Sequence, residues 1–365
     1  MKKTAVIILN WNGKSLLEEF LPALVRHTPA DDAEIIVADN ASSDDSLAVV
    51  KATYPDITIF PFTENHGFAG GYNRAMSGLE NEYVVLLNSD VEVTEGWLTA
   101  ATDYLDVHPD VAALQPKILS YRHKTQFEYA GASGGYIDKY GYPFCRGRIL
   151  DTLETDHGQY DTPVEVFWAS GACLFVRLKA YWEVGGLDEL FFAHQEEIDL
   201  CWRLHTHGKK VAVVPQSVIY HLGGGTLKPN EPRKVFLNSR NNLLMLYKNL
   251  PTAQYWKVMF IRFFLDYAAA ASFFAQRKPQ QAFAIFAARR DFHRKKEQYK
   301  LLRKQNLNTA AGKIPPTIYQ KSMLWQYYLH GKKRFADFNK MKKKNPMHEI
   351  RKAEQMREQY FKEKN

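Results

Sequence analysis

The feature that most constrains the fold is an alternation of apolar and amphipathic segments over the first 90 residues. Four segments have the length and composition of buried strands, namely residues 4–9, 34–38, 57–60 and 83–87. The segments between them have the apolar spacing of helices, namely residues 15–27, 46–53 and 70–79. This alternation predicts an α/β fold with a Rossmann-like, mostly parallel sheet and helices on both faces.

Each predicted strand is followed by polar side chains. These clusters are Asn10-Trp11-Asn12, Asp39-Asn40, Glu64-Asn65-His66 and Asn88-Ser89-Asp90. Parallel sheets bind ligands beyond the carboxyl ends of their strands. We therefore expect all four clusters to face one cleft.

The charge distribution divides the chain into two parts. Residues 1–250 contain 22 Lys and Arg against 32 Asp and Glu, whereas residues 251–365 contain 26 against 8. We predict an acidic domain over 1–250 and a helical, basic C-terminal region over 251–365. Such a region favours an anionic partner, either phospholipid or nucleic acid. Because the body is acidic, no nucleic acid is expected.

The cysteines favour a reducing compartment. Cys145, Cys173 and Cys201 are far apart and form no Cys-x-x-Cys pair, so we expect neither a zinc site nor a disulfide framework. The apolar run that ends at Asn10 is too short for a signal peptide. A cytoplasmic protein is therefore predicted.

The Asn88-Ser89-Asp90 turn is a candidate metal site. A carboxylate on a tight turn at a strand end can coordinate a divalent ion that bridges a diphosphate. In the alternative interpretation, Asn88 and Asp90 form an Asx turn and bind only local backbone donors.

A second acidic cluster consists of Glu196, Glu197 and Asp199. Neighbouring carboxylates repel each other, which can raise one pKa into the range of a general base. Alternatively, acidic residues stabilise the first turn of a helix, and Asp199 pairs with Arg203.

His221 precedes three glycines, Gly223 to Gly225. The glycines permit close approach of the backbone to phosphate, and His221 is a candidate metal or phosphate ligand. The alternative is a flexible loop with a surface histidine. The composition of the loop also suggests a lid over the donor site.

In this order, these motifs resemble the family 2 glycosyltransferases of the GT-A fold, especially the bacterial rhamnosyltransferase-like branch of surface-polysaccharide synthesis. The matching segments extend from Thr4 to Asn242, about two thirds of the chain. They are residues 7–13, 37–42, 65–73, 87–90, 170–172, 186–188, 196–203, 221–225 and 240–241.

The resemblance implies an inverting transfer of a hexosyl or deoxyhexosyl group from a nucleoside-diphosphate sugar, with a UDP- or dTDP-sugar expected, to a glycan or lipid-linked acceptor. It assigns the nucleotide-sugar site to Asn10, Asn12, Asp39, Asn65, Gly67, Asn73 and Ser89. It assigns a divalent ion, Mg²⁺ or Mn²⁺, to Asp90 and His221. Catalysis falls to Glu197 as general base.

Two positions depart from the family pattern. Glu197 stands where the family usually has the aspartate of a Glu-Asp pair, and Asn88 stands where the metal turn usually begins with aspartate. The extra methylene of Glu197 moves the carboxylate. Either the cleft compensates, or Glu196 or Asp199 acts as the base.

The C-terminal region leaves two interpretations open. Aromatic residues between Phe260 and Phe274 recur at helical spacing beside basic residues, which predicts an in-plane helix on anionic lipid at the inner face of the cell membrane. Lys257, Arg262 and Asp266 argue against a membrane-spanning helix. Alternatively, the helix packs on the catalytic domain.

Two other functions compete with glycosyl transfer. A noncatalytic glycan-binding or scaffold protein could share this fold, particularly if the change at Glu197 disables the site. A sugar nucleotidyltransferase is the second alternative. However, such an enzyme needs a glycine-rich basic loop after the first strand, and residues 10–13 do not form one.

Overall fold

A computed structural model describes residues 2–223, 231–310 and 314–338, and it confirms the predicted α/β fold class. The strands are β1 Thr4–Asn10, β2 Ala33–Asp39, β3 Thr58–Pro61, β4 Tyr83–Asn88, β5 Val91–Val93, β6 Val111–Ser120, β7 Gly135–Ile137, β8 Pro143–Cys145, β9 Arg148–Ile149, β10 Thr152–Leu153, β11 Val164–Val166, β12 Cys173–Arg177 and β13 Lys210–His221. The α-helices are α1 Lys14–His27, α2 Ser46–Thr53, α3 Gly67–Met76, α4 Trp97–Val107, α5 Leu178–Glu183, α6 Glu196–Thr206, α7 Pro232–Asn249, α8 Thr252–Ala275, α9 Pro279–Lys295, α10 Lys300–Ala310 and α11 Met323–Tyr328.

The central sheet has the strand order β11-β13-β6-β12-β4-β1-β2-β3, and β5 pairs with β13. Strands β3, β2, β1 and β4 are parallel, with Asn10 beside Asp39 and Leu9 beside Asn88. β12 is antiparallel to β4 and β6, while β13 runs parallel to β6. The carboxyl ends of β1, β2 and β4 therefore meet at one edge, as predicted.

Alternating strand residues supply two separate cores, one on each face of the sheet. On one face, Ile7 and Leu86 pack with residues of α3, α5, α6 and α7. On the other face, Val6 and Val85 pack with residues of α1, α2 and α4. Because successive side chains of a strand point to opposite faces, both faces need a helical cover. This arrangement confirms the predicted layers.

The C-terminal helices and the segment after them pack on the rest of the protein. Strands β7 to β10 form a second, antiparallel sheet, and the rings of Tyr319 and Phe338 pack against Phe144 of that sheet. The helical spacing of the aromatic residues between Phe260 and Phe274 is confirmed by α8, which ends before Arg277, with a φ of 58°, and Pro279, which begins α9.

Candidate active site

Asn10 and Asp39 lie side by side at the ends of β1 and β2. Both are buried, and the Asn10 Nδ2 atom donates to Asp39 Oδ1 at 2.9 Å. The backbone N–H of Ser42 donates to Asp39 Oδ2 at 3.0 Å. The Asn10 Oδ1 atom is buried without a partner. This orphaned acceptor is available to a donor group of a bound ligand.

Asn12 joins the loops that follow β1 and β2. Its backbone is left-handed, with a φ of 51°, and its Oδ1 atom accepts from the Ser43 N–H at 2.7 Å. Its own N–H donates to Ser42 Oγ at 2.8 Å. The side-chain oxygen of Asn12 therefore shapes the wall of the cleft.

Asn65 and Gly67 lie beside the end of β2. Asn65 Oδ1 accepts from the Gly67 N–H at 2.8 Å, and Asn40 Nδ2 donates to the Gly67 carbonyl at 3.0 Å. Gly67 has a φ of 69°, and a Cβ there would lie 2.6 Å from the Phe192 ring. Only glycine fits this close approach, which joins the start of α3 to the loop before α6.

Asn73 faces the protein interior. Its Nδ2 donates to the Leu187 carbonyl at 2.9 Å, and its Oδ1 accepts from the Tyr181 hydroxyl at 2.5 Å and the Leu187 N–H at 3.0 Å. With both polar atoms engaged, Asn73 supports the turn at residue 187. We accordingly propose no donor contact for it.

The Asp90 turn lies against the end of β13. β5 pairs Val91 with His221, which brings His221 Nε2 to 3.1 Å from Asp90 Oδ1. On the other side of the imidazole, Nδ1 lies 3.3 Å from Glu128 Oε2. Ser89 follows the same strand, and its Oγ lies 3.8 Å from where a Cβ of Gly13 would be. The turn therefore borders the loop after β1.

The charges of this cluster favour a cation. Burial lowers the pKa of His221, but Glu128 and Asp90 outweigh it and raise that pKa to about 10. Conversely, burial raises the pKa of Asp90, and His221 reverses the effect, so that the pKa lies below its ordinary value. The two carboxylates thus favour a positive charge at this position, supplied either by a proton on the imidazole or by a divalent ion in its place, since an imidazole that binds a metal is neutral.

The donor set of Asp90 and His221 fits a divalent ion. Neighbouring ligands of an octahedral ion, with bonds of about 2.1 Å, are about 3 Å apart, and the two donor atoms are 3.1 Å apart. Glu128 orients the imidazole as outer carboxylates do in metal sites. The described residues contain no group of three or more ligating side chains, so an ion here would need further ligands from the substrate or water.

Glu196 and Glu197 begin α6. Glu196 is 4% exposed, Glu197 is partly buried, and the Oε2 atom of each is buried without a partner. Burial raises the pKa of Glu197 to about 7, against the lowering effect of the backbone amides around it. Burial, followed by repulsion from Glu197, raises the pKa of Glu196 well above its ordinary value. Such carboxyls can accept protons near neutral pH.

Asp199 is part of a buried ion-pair network. Lys248 Nζ donates to its Oδ2 at 2.7 Å, Arg203 Nε donates to the same oxygen at 2.9 Å, and Asn249 Nδ2 donates to Oδ1 at 2.9 Å. Burial raises its pKa, but Lys248 and Arg203 hold that pKa below its ordinary value. This geometry favours the structural pairing with Arg203 over a role as base.

The path from the Asp90 turn to Glu197 runs through residues 170–172. The N–H of Asn88 donates to the Ala172 carbonyl at 3.0 Å. A Cβ on Gly171 would lie 3.2 Å from Phe68 and 3.8 Å from the Glu197 Cβ. The two candidate sites are thus attached to adjoining segments of one cleft wall.

The loop before α6 has an unusual backbone that neighbouring elements hold in place. Phe192, His194 and Gln195 have φ values of 66°, 72° and 72°. Left-handed conformations of such residues cost about 1–3 kcal/mol each and cluster at functional sites. The Phe192 carbonyl accepts from the Phe68 N–H at 2.8 Å. Asn241 Nδ2 donates to the carbonyls of Ala193 and His194 at 2.9 and 2.8 Å.

Sequence reasoning missed Glu128 and Asn242. Glu128 lies in an irregular region with no periodicity, and only pairing across the sheet brings it to His221. Asn242 was only the last residue of the matching segment, yet its Nδ2 donates to Gln195 Oε1 at 3.0 Å. The predicted lid at Gly223 to Gly225 has only Gly223 within the described residues.

The family follows from the sequence. Residues 5–184 match the family model for glycosyl transferase family 2, and the chain belongs to that family. It is 28% identical over 234 residues to N-acetylglucosaminyl-diphospho-decaprenol L-rhamnosyltransferase of Mycobacterium tuberculosis, covering 59% of this chain and 75% of that protein. It is 24% identical to rhamnosyltransferase WbbL of Escherichia coli, covering 54% and 76%. These similarities support the rhamnosyltransferase-like branch.

Solved structures share the fold. GalNAc-T7, solved with UDP, GalNAc and Mn²⁺, aligns with a TM-score of 0.57 at 15% identity over 90% of this chain and 56% of that one. Residues 1–349 of S. aureus TarS, in complex with UDP-GlcNAc, align with a TM-score of 0.53 at 15% identity over 91% and 93%. The chain therefore has the GT-A fold.

Proposed function

We propose that this protein is an inverting, metal-dependent glycosyltransferase of cell-surface polysaccharide synthesis. It moves a hexosyl or deoxyhexosyl group from a nucleoside-diphosphate sugar to a hydroxyl of a glycan or lipid-linked acceptor. Residues 1–250 form the catalytic unit. The donor is a UDP- or dTDP-sugar, in keeping with the UDP and UDP-GlcNAc bound to structures of the same fold.

One observation carries this proposal. Glu197 has a buried, unpartnered Oε2 and a pKa raised to about 7, and it adjoins the segment that binds the Asp90 turn. A general base near neutral pH beside a site for a diphosphate is what a single displacement requires. A noncatalytic glycan-binding protein would have no need of an unpaired buried carboxylate.

In the reaction, Asn10 and Asp39 bind the nucleoside, and Asn12, Asn65, Gly67 and Ser89 shape the donor site around it. Asp90 and His221 hold Mg²⁺ or Mn²⁺, which neutralises charge on the leaving diphosphate when bound.

Glu197 accepts the proton of the acceptor hydroxyl as the oxygen attacks the anomeric carbon. The bond to the diphosphate breaks on the opposite face, so the configuration inverts. Glu196 stands beside it, and burial together with repulsion from Glu197 raises the pKa of Glu196 well above its ordinary value, which favours its protonated form.

The nature of the acceptor determines where in the cell the enzyme acts. The M. tuberculosis relative is named for a decaprenol-linked acceptor, and a lipid-linked acceptor for this chain would bring the enzyme to the inner face of the cell membrane. We propose a cytoplasmic protein that binds this surface peripherally.

The test is donor turnover. The protein is incubated with Mn²⁺, an acceptor mixture and a panel of UDP-, dTDP- and GDP-sugars, and released nucleoside diphosphate is measured. Acceptor-dependent release for one donor, lost in Glu197→Gln, is expected. Glycan binding without release from any donor would favour the noncatalytic protein. Pyrophosphate formed from a sugar phosphate and a nucleoside triphosphate would favour the nucleotidyltransferase.

A further inference from the structure

Surface helices of soluble proteins usually bury apolar side chains and expose charged ones. Helix α8 instead buries two charged side chains and exposes several aromatic ones. It is the one helix among the described residues that is long and apolar enough to cross a membrane, and 28% of its most apolar window is buried. Its charged residues Arg262 and Asp266 point inward and are 3% and 7% exposed. Most of its aromatic side chains point outward, whereas Tyr255, Val258 and Met259 pack inward.

The inward charges are fully paired. Arg262 Nε donates to Asp266 Oδ1 at 3.0 Å, and Arg289 of α9 donates to Asp266 Oδ2 at 2.5 Å. Arg262 also donates to the Tyr140 carbonyl at 3.0 Å and to the side chain of Asn242. Insertion of α8 across a bilayer would break this network and leave buried charges unpaired. The helix therefore stays on the protein.

The outward face is a row of aromatic rings. Its members lie on one side of the helix, are 41–66% exposed, and are Trp256, Phe260, Phe263, Phe264, Tyr267 and Phe274. At about 200 Å² for each side chain, half exposure leaves roughly 600 Å² of aromatic surface. A patch of this size on a soluble protein marks a contact with a protein or a membrane.

Basic side chains border this aromatic face. Lys257 and Arg277 are exposed on or just after α8. On α9, Phe283 packs its ring 5.6 Å from that of Phe274, and Arg290 and Arg294 are exposed at helical spacing from Phe283. The region from 251 carries 26 basic against 8 acidic residues. Apolar rings bordered by cations complement an anionic lipid surface.

We propose that the aromatic face of α8, extended by Phe283 of α9, docks in the plane of an anionic membrane. The rings enter the boundary between headgroups and acyl chains, and Lys257, Arg277, Arg290 and Arg294 contact the headgroups. The paired Arg262 and Asp266 stay on the protein side. This inference rests on the geometry of α8 and not on the transfer reaction, so vesicle binding tests it separately.

The experiment is flotation of the full chain with vesicles of phosphatidylcholine alone or with 30% phosphatidylglycerol, at about 0.1 M salt. The wild type is expected to float with the anionic vesicles and at least tenfold less with the neutral ones. Phe260→Ser combined with Phe264→Ser should reduce flotation at least tenfold. Trp182→Ser, which removes an exposed ring of α5, should float like the wild type. Thermal melting and donor turnover with a soluble acceptor verify that each variant is folded.

Three outcomes of the vesicle experiment would overturn the proposal. They are failure of the wild type to bind either vesicle, undiminished binding by the double variant, and retention of vesicle-bound protein through a high-salt, high-pH wash, which would indicate a spanning helix. Light scattering tests the alternative that a second copy of the protein binds this aromatic face. A wild-type dimer that dissociates in the double variant would show that a second copy covers this face, which would also refute membrane docking.

Discussion

Replacing Glu197 by Gln should abolish transfer and also stabilise the fold. The substitution keeps the shape of the side chain but removes a carboxyl whose Oε2 atom is buried without a partner. In the unfolded chain this carboxyl ionises at its ordinary pKa of 4.5, whereas burial raises the pKa to about 7 in the fold. Ionisation of Glu197 therefore lowers the free energy of unfolding, although catalysis needs the ionised form.

The sign and size of the effect follow from linkage. Between pH 4.5 and about 7 the folded state retains a proton that the unfolded state loses, so the free energy of unfolding decreases as pH rises. At about 1.4 kcal/mol for each tenfold change, the rise from 4.5 to about 7 corresponds to a full cost of roughly 3–4 kcal/mol. The Glu197→Gln variant has no ionisable group at this position and therefore does not have this cost. It should be more stable than the wild type by about 1 kcal/mol at pH 5 and about 3 kcal/mol at pH 8.

Urea unfolding at pH 5 and pH 8, followed by fluorescence of the seven tryptophans, measures this difference. Asp199→Asn is the matched control in the same helical turn. Because Lys248 and Arg203 lower the pKa of Asp199 despite its burial, its loss should destabilise the protein at pH 8. Equal stability of Glu197→Gln and the wild type at pH 8 would refute the reasoning. Transfer that survives in Glu197→Gln would assign the base to Glu196.

Three further predictions address the site. The logarithm of kcat/KM should fall with unit slope below about pH 7, where Glu197 becomes protonated; a flat profile between pH 5 and 8 would exclude it as the base. Asp90→Asn should weaken UDP binding at least tenfold in calorimetry with Mn²⁺ and leave metal-free binding unchanged; equal losses in both conditions would argue against a metal role. Gly67→Ala should lower the free energy of unfolding by at least 1 kcal/mol more than Gly78→Ala, because both have positive φ but only Gly67 faces a ring at 2.6 Å; equal effects in urea unfolding would contradict the packing argument.

The parallel half of the sheet was predictable because its strands and helices have simple periodicities. Residues 83–87 are buried on both faces, and such strands read as continuous apolar runs. Strands β7 to β10 have only two or three residues each, which is too short for any periodicity to appear. Their positions depend on contacts with the segment at 314–338, far away in the sequence.

The candidate site was predictable where it follows strand ends. The meeting of Asn10 with Asp39 follows from the parallel order of the first strands. The meeting of Asp90 with His221 was expected only from the family resemblance, because it depends on the antiparallel pairing of β5 with β13. Asn73 shows the limit of this reasoning. Its place in a motif predicts a position near the nucleotide sugar, and in the structure both of its polar atoms hold the turn at Leu187. Local sequence does not reveal which polar side chains form hydrogen bonds within the fold.

Charge composition suggested a boundary at residue 250, yet hydrogen bonds cross it at a functional position. Asn242 of α7 accepts from Arg262 of α8 and donates to Gln195, the residue before Glu196 and Glu197. Two hydrogen bonds therefore connect the helix with the aromatic face to the strained loop that positions the base. The inward charges of α8 serve this connection, and Tyr255, Val258 and Met259 add apolar contacts to the same interface. The helix thus binds the catalytic domain through polar and apolar side chains of one face, and its exposed aromatic side chains form the opposite face, which we propose to dock on a membrane.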